Sequence, residues 1–316
     1  MTPYDQQDLR RAAEAAIRAP SLHNSQPWRF RLADGAIDVI ADNERQLAVA
    51  DSGGWAVRIA CGAATFNAGL ALAAAGTPAT VALRPDRGSD VVARLTPAGP
   101  RRPGYPELEL ARAIGRRHSN RRPFWPDPVP PEARAALLAA ARDQGVWMDL
   151  LVGMTALSGF AEIARSAERV LRRDFAYQAE MSSWIHADAA PDGVPVYAGG
   201  PVAEPHDLLP QRPYGTRGRA PGRDFEPEPL VAILGTTGDH PADQIAAGQA
   251  LQRVLLTATA AGLATSMISQ PIEVPAARDQ LRRSLRRTGT PQIAIRVGYG
   301  DPGRLSPRRD LADVLV

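Results

Sequence analysis

Alternation of apolar and polar positions predicts a first series of elements in the N-terminal third of the chain. Apolar residues recur at helical spacing or alternate strictly, and Gly35 separates two alternating segments, which is typical of a hairpin. A Pro-, Gly- and Arg-rich stretch, 97–106, then predicts a linker. The predicted elements are a helix at 5–18, strands at 28–35 and 36–42, a buried helix at 59–76, and strands at 80–86 and 91–97.

A second series follows the linker. Its long segment 155–187 has an amphipathic helical pattern, and the Pro-rich stretch 188–229 has none. The other predicted elements are helices at 108–117, 131–145 and 245–262, and strands at 147–153, 231–235 and 291–300.

The two longest predicted helices resemble each other. Residues 59–76 align without a gap to 245–262, and eight of the 18 positions are identical, including Gly62 with Gly248. Alanine-rich helices also match by chance, but a true repeat would mean that one chain contains two copies of one unit and imitates a symmetric dimer.

Composition excludes several classes of protein. The chain has 316 residues, of which 44% are hydrophobic, enough for one large or two ordinary domains. It contains no lysine, so an internal Schiff base with pyridoxal phosphate and a P-loop ATPase are both excluded. A formal charge of +3 with 5% aromatic residues does not favour a nucleic-acid partner.

Other features bear on the compartment. Cys61 is the single cysteine, and no signal peptide is visible at the N-terminus, so we expect a cytoplasmic protein without disulfides. The uncharged run 59–83 is long enough for a bilayer. Asn67, Pro78 and its alanine content favour a buried helix, and we expect no membrane contact. The five histidines show no metal-ligand spacing, so no metal site is predicted.

Three polar motifs are candidates for binding. APSLHNSQPW (19–28) places hydrogen-bonding side chains between two prolines, which suits the edge of a planar heteroaromatic ring or, alternatively, a capped turn. RRHSNRRPF (116–124) and the tail segment PRR (307–309) offer guanidinium groups for a phosphate, or are solvated basic surface.

Together these motifs resemble the nitroreductase family of FMN proteins, over most of the chain. APSLHNSQPW is similar to that family's PS-x-x-N-x-QPW loop, and GRRHSNRRPF to its R-x-S-x-R/K phosphate motif. The order is reversed, because the loop precedes the phosphate motif, and each half keeps only one of them. This order resembles the Acg branch, whose members are fused, internally degenerate nitroreductase dimers.

The resemblance implies an α+β, nitroreductase-like pseudo-dimer with mixed or antiparallel sheets and long central helices. Residues 1–106 would form a degenerate half that supplies the QPW loop, and 107–316 a second half with the phosphate site and a lid at about 170–229. One FMN would bind per chain, and a monomer would be sufficient for the site. The residues expected to bind FMN are, for the ring, Pro20, Ser21, Leu22 and Asn24, with Met267, Ile268, Ser269 and Gln270 beside it; and, for the phosphate and ribityl group, Arg117, His118, Ser119 and Arg121 with Arg308 or Arg309.

The resemblance also implies a function. The protein would transfer hydride from NAD(P)H, through FMN, to a nitroaromatic or quinone acceptor, with no catalytic side chain because the flavin supplies the chemistry. Gln26 and Trp28 would fix the loop. If the stretch 188–229 is a lid and not a surface insertion, the protein could instead sequester FMN with little turnover.

Overall fold

The computed structural model describes residues 5–84, 88–188, 190–215, 218–222 and 224–316. Helices and strands together form an α+β fold. The helices are α1 Gln6–Ala16, α2 Trp55–Ala74, α3 Tyr105–Ile114, α4 Pro131–Arg142, α5 Met154–Arg173, α6 Phe175–Ser183, α7 Pro241–Ala260, α8 Gln270–Glu273 and α9 Pro275–Ser284. The strands are β1 Trp28–Ala33, β2 Ala36–Ala41, β3 Ala79–Leu83, β4 Val91–Pro97, β5 Trp147–Leu151, β6 Ile185–His186, β7 Val194–Pro195, β8 Leu230–Thr236, β9 Ala264–Ile268 and β10 Thr290–Gly298.

Two four-stranded sheets share one topology. The first has the order β1-β2-β4-β3 and the second β5-β8-β10-β9. All neighbouring strands in both are antiparallel. In each sheet a long helix connects the strands that come second and third along the chain. Helix α2 connects β2 to β3, and α7 connects β8 to β9. This common order supports the repeat that the helix alignment suggests.

The predicted hairpin is present. Asp34 and Gly35 connect β1 to β2, and Ala33 pairs with Ala36. Both turn residues have positive φ, 55° and 65°. A two-residue turn of this kind matches the twist of the strands it joins.

The central helices α2 and α7 pack against each other through reciprocal glycine contacts. A Cβ atom at Gly62 would clash with the carbonyl oxygen of Ile245, and one at Gly248 would clash with that of Ile59. These are the residues that the alignment pairs, Ile59 with Ile245 and Gly62 with Gly248. A contact in which each partner uses the same two residues is what a two-fold axis produces.

Both central helices begin earlier than predicted. The prediction for α2 began after Arg58, the last charged residue, but the helix starts at Trp55. The Asp51 carboxylate accepts hydrogen bonds from the Ala56 and Val57 amides at 2.9 and 3.0 Å, which satisfies the first turn. α7 starts at Pro241 for a similar reason, because Asp243 accepts from the amide of His240.

α2 is also long and apolar enough to cross a membrane, the one such helix in the described ranges, and 78% of its apolar window is buried inside the protein. It packs against α1, α7 and the first sheet. The prediction of a buried helix agrees with these contacts.

Some elements were not predicted. β9 lacks an alternating pattern of burial, and α9 is dominated by arginine and aspartate. The only sequence signals for α9 are Pro275 at its first position and the buried pair Ala277 and Leu281, four residues apart.

The segment between β5 and β8 is a large insertion. Its helical part consists of α5 and α6, separated at Asp174, whose side chain accepts from the amide of Tyr177. The described part of 188–229 is largely irregular, as predicted, apart from β7 and one turn of 3₁₀ helix at Val196–Ala198. Four positions of this predicted lid, together with two of the predicted strand 80–86, lie outside the described residues: 189, 216, 217 and 223, and 85 and 86.

The C-terminal tail returns to the first sheet. Leu315 forms a parallel bridge with Phe30, and Val314 is fully buried in the core beneath that sheet. The strands of the first sheet precede the predicted boundary near residue 106, and those of the second follow it. The tail also follows this boundary, but it packs on the first sheet.

Candidate functional site

A deep cleft lies between the QPW loop, the start of α2, the end of β9 and the insertion. Its larger chamber is open to solvent and spans about 900 Å³ with that solvent included. Its mixture of apolar walls and a few polar groups is typical of a small-molecule site. The larger chamber is lined by Pro20, Ser21, Leu22, His23, Trp55, Ala56, Ile59, Ala60, Ser119, Arg121, Gly200, Pro201, Pro210, Gln211, Arg212, Tyr214, Leu251, Ser266, Met267, Ile268, Ser269, Gln270 and Ile293.

A second, arginine-rich chamber adjoins the first and spans about 510 Å³ with open solvent included. The two share five residues, Pro20, Ser21, Ser119, Arg121 and Met267. The arginine chamber is lined in addition by Arg18, Asn24, Ile114, Gly115, Arg117, His118, Leu305, Ser306 and Arg308. The QPW loop and the RHSNR segment, almost one hundred residues apart in sequence, therefore meet at one cleft, as predicted.

The RHSNR segment is fixed by the second sheet. After α3 ends at Ile114, Ser119 forms a bridge with Thr265 at the edge strand β9, and the amide of Asn120 donates to the Thr265 carbonyl at 2.8 Å. On β10, the buried Arg296 donates to the carbonyls of Asn120 and Arg122. These bonds hold the segment against the sheet with Arg117 and Ser119 at the cleft.

The arginine chamber contains buried positive charge that lacks a counter-ion. Burial, and then the neighbouring Arg121, lower the pKa of Arg117 to about 10. Burial and the repulsion of Arg117, Arg18 and Arg121 lower the pKa of Arg308 to about 9. Both stay charged at neutral pH. No carboxylate in the described part of the chain pairs with Arg117, Arg121 or Arg308, and the Nε atoms of Arg117 and Arg308 have no hydrogen-bond partner. Such an arrangement is costly without an anion.

The two tail arginines differ. Arg308 lines the arginine chamber, whereas Arg309 donates its amide to Gln26 at 2.9 Å and lies 3.6 Å from the carboxylate of Asp42. Arg309 lines neither chamber, so of the pair left open by the sequence, Arg308 is the one at the cleft.

The other predicted phosphate ligands, His118 and Arg121, also lie at the cleft. The His118 imidazole accepts from the amide of Gly303 at 3.0 Å through Nε2, and its Nδ1 lies 2.9 Å from the Arg116 carbonyl. Both of its nitrogen atoms are thus engaged by protein. Arg121 lies between the chambers and donates to the Ala198 carbonyl.

Within the QPW loop, Pro20, Ser21 and Leu22, the residues predicted to contact the ring, line the larger chamber. Asn24 lines the arginine chamber instead. Its amide donates to the carbonyls of Gly193 and Pro307, and its Oδ1 accepts from Arg308 at 2.9 Å. The Asn24 side chain thus bonds to Arg308 and to two backbone carbonyls, and its predicted contact with the flavin ring stays a prediction.

Gln26 and Trp28 anchor the loop. Gln26 is fully buried, and its amide nitrogen donates to the carbonyls of Pro191 and Asn24. Trp28 is fully buried in the core of the first half. Both placements agree with the predicted anchoring.

Met267, Ile268, Ser269 and Gln270, at the end of β9 and the start of α8, line the larger chamber, and Met267 reaches both chambers. The insertion, which contains the predicted lid, contributes another wall of the larger chamber. This wall consists of Gly200, Pro201, Pro210, Gln211, Arg212 and Tyr214.

Sequence analysis missed a buried network at this wall. Glu273 accepts from Arg212 and from the Tyr177 hydroxyl, both at 2.8 Å, and the other amino group of Arg212 lies 3.1 Å from Nε2 of His23. Burial, then Arg212 and Arg121, lower the pKa of His23 well below its usual value, so its imidazole is neutral at neutral pH. Arg212 lies in no motif, and His23 lies within APSLHNSQPW at a position that the family's pattern leaves open, so each acquires its partners only through the fold.

No group of three or more His, Cys, Asp or Glu side chains in the described ranges is placed to hold a metal ion. Cys61 is buried, and its thiol donates to the Pro27 carbonyl at 3.3 Å.

Comparison with known proteins identifies the family. Residues 114–299 match the model of the nitroreductase family. A Mycobacterium tuberculosis protein provisionally named NAD(P)H nitroreductase is 32% identical over 98% of this chain and 92% of its own length. A second protein of that species, provisionally named NAD(P)H nitroreductase acg, is 30% identical over 97% and 94%. A solved nitroreductase from Desulfitobacterium hafniense with bound FMN shares 14% identity with a TM-score of 0.44, covering 65% of this chain and 96% of that one. The chain therefore belongs to the nitroreductase family of flavin-dependent oxidoreductases, in its Acg-like branch.

Proposed function

We propose that the protein binds one FMN in the cleft and transfers hydride from NAD(P)H to a nitroaromatic or quinone acceptor. The observation that carries the cofactor assignment is the pair of buried arginines, Arg117 and Arg308, that lack a carboxylate partner. A phosphate dianion would supply the missing charge and accept from their unpaired Nε atoms.

The residues of the cleft fit FMN in two parts. Arg117, Ser119 and Arg308 would hold the phosphate, and Asn24 would orient Arg308. The ring would lie in the larger chamber, between the QPW loop and Met267–Gln270. When bound, FMN supplies the redox chemistry, and the protein sets its access and orientation.

The provisional names of the M. tuberculosis relatives support NAD(P)H as the reductant. A second candidate function is favoured by the lid. The larger chamber is lined on one side by Gly200, Pro201, Pro210, Gln211, Arg212 and Tyr214, and Tyr214 is 7% exposed. A protein with a permanently closed lid would retain FMN and exclude the nicotinamide, which is sequestration without turnover.

Anaerobic mixing of the purified holoprotein with NADH and NADPH separates the two candidates. We expect the visible absorption band of the flavin to bleach. A bound flavin that keeps its colour with both nucleotides would contradict the oxidoreductase and support sequestration.

The phosphate assignment has a separate test. The double substitution Arg117→Ala with Ser119→Ala should weaken FMN binding by about 100-fold or more, because charge-assisted bonds to a buried phosphate are lost. Equilibrium titration with FMN measures the loss. Arg116→Ala is the matched control, since Arg116 is exposed and lines neither chamber. Equal FMN affinity in the double variant and the control would refute the assignment.

A further inference from the structure

The hydroxyl group of Tyr214 lies at the end of a buried chain of polar groups. The chain begins with the Glu273 carboxylate, which holds Arg212 at 2.8 Å; Arg212 lies 3.1 Å from Nε2 of His23, and Nδ1 of His23 lies 3.4 Å from the Tyr214 hydroxyl. Glu273, Arg212 and His23 are all buried, with 1%, 7% and 2% exposure. They come from α8, the lid and the QPW loop respectively.

The partners of His23 determine its tautomer. A guanidinium group can only donate, so Nε2 of His23 must be the accepting nitrogen. The neutral imidazole then carries its proton on Nδ1, the atom that faces the Tyr214 hydroxyl. Glu273 keeps Arg212 charged and in place, which fixes this arrangement.

The tautomer in turn directs the proton of Tyr214. Because His23 donates to the phenolic oxygen, the Tyr214 hydroxyl proton does not bond to His23. No other described residue forms a hydrogen bond with this hydroxyl, and Tyr214 lines the larger chamber. Arg121 stacks 4.6 Å from the centre of its ring, which fixes the ring in place.

We propose that Tyr214 donates a hydrogen bond into the larger chamber, to an oxygen atom that gains negative charge during reduction, and that His23 positions it. This inference rests on the proposed function. Two oxygens have this chemistry: the nitro or quinone oxygen of the acceptor, and a carbonyl oxygen of the flavin ring. No proton transfer from Tyr214 is required, because a hydrogen bond alone stabilises the developing charge.

Tyr214→Phe removes the donor while leaving the ring. Chemically reduced holoprotein, prepared with dithionite, is mixed with a quinone and, separately, with ferricyanide, and reoxidation of the flavin is followed. Ferricyanide accepts single electrons and presents no oxygen atom, so its rate should not change if the hydrogen bond is to the acceptor. The midpoint potential of the bound flavin is measured in parallel.

If the hydrogen bond is to the acceptor, the quinone rate falls by about 10- to 100-fold with an unchanged potential. If it is to the flavin, the midpoint potential falls, because the reduced form loses its stabilising donor. Tyr197→Phe is the matched control, as Tyr197 is in the lid but lines neither chamber. An unchanged quinone rate together with an unchanged potential would overturn the proposal.

His23→Gln tests the positioning role, and it should change the same quantity as Tyr214→Phe while FMN retention stays as in the parent. A change in FMN retention alone would show a merely structural role and overturn that part.

The use of dithionite keeps this test separate from the proposed function. A parent that binds FMN but is not bleached by NAD(P)H fails the proposed function and still allows the Tyr214 measurement. A parent that binds no FMN would overturn both.

Discussion

Three residues of the QPW loop hold backbone angles that side chains normally avoid. His23, Asn24 and Gln26 have φ values of 51°, 57° and 52°. Each such residue costs about 1 kcal/mol or more, and it persists only when surrounding bonds fix it. Here the bonds come from the lid and the tail, through Gln26 to Pro191 and Asn24 to Gly193 and Pro307. The polar side chains of the motif therefore hold the QPW loop, the lid and the tail together, in addition to lining the cleft.

This explains which residue roles the sequence could predict. Gln26 and Trp28 were expected to fix the loop, and both are fully buried. Ser21 and Leu22 were expected to contact the flavin ring, and the structure places them in the wall of the larger chamber. The direction of the Asn24 side chain depends on Arg308 and Gly193, which are remote in sequence, and could not be read from the motif.

His23 should make the stability of the protein sensitive to acid. An unfolded histidine binds a proton below about pH 6.5, whereas the native His23, with its lowered pKa, does not. The unfolded state then binds more protons, so this contribution to stability is complete above about pH 6.5 and falls by up to about 1.4 kcal/mol per pH unit below it. The substitution His23→Asn removes this dependence, and Asn tolerates the positive φ.

Urea unfolding of parent and variant between about pH 5 and 7.5 measures the effect. The parent should lose stability relative to His23→Asn as the pH falls. His206→Asn, which removes an exposed imidazole, is the control. A parent-to-variant difference that is the same at every pH would contradict the prediction.

At the scale of elements, the contact between α2 and α7 is the most specific feature of the core. The backbones approach so closely at Gly62 and Gly248 that any side chain there would meet a carbonyl group. The sequence predicted both helices and paired these glycines, because the repeat survives in their spacing. It did not reveal that each glycine contacts the other central helix, Gly62 at the Ile245 carbonyl of α7 and Gly248 at the Ile59 carbonyl of α2. It also set the start of α2 too late, since Arg58 lies in the first turn and bonds to Gln244 and Gly53.

Gly62→Ala and Gly248→Ala should destabilise the protein to a similar extent, by about 1–3 kcal/mol or more, since each new methyl group forces the helices apart. Equilibrium unfolding in urea provides the comparison. Gly69→Ala, in the same helix, is the control, because its Cβ would lie at an ordinary 3.6 Å from Leu95. That variant should be neutral or up to about 1 kcal/mol more stable. A large cost at one glycine with none at the other would argue against the reciprocal contact.

At the scale of the whole molecule, we infer that the chain is a duplicated unit. The equal strand orders and the reciprocal contact of α2 with α7 support this. Trp147 is the first residue of β5, directly after the connection from α4. In the same way, Trp28 is the first residue of β1, directly after the QPW loop. A duplicated organisation could be inferred from the sequence because the two motifs stand in reversed order. The path of the tail across the first sheet and the network beneath the lid could not be predicted, since they depend on contacts between distant segments.

A duplicated chain with one complete cleft should bind one FMN per polypeptide as a monomer. Light scattering after size exclusion, combined with the ratio of flavin to protein, measures both quantities. Arg117→Ala with Ser119→Ala should reduce the ratio towards zero, because no second site compensates. Flavin binding confined to a homodimer, or two flavins per chain, would contradict the inference.

The insertion between β5 and β8 has no counterpart between β1 and β2, which are joined by the two residues Asp34 and Gly35. In an assembly of two identical subunits, every addition to the chain is made twice, and a cover large enough for one cleft must also be accommodated at the other. Fusion of the two subunits into one chain would remove this constraint. In the fused pair that we infer, one half can keep a two-residue turn while the other carries a cover, so the enclosure of the cleft need not be symmetric.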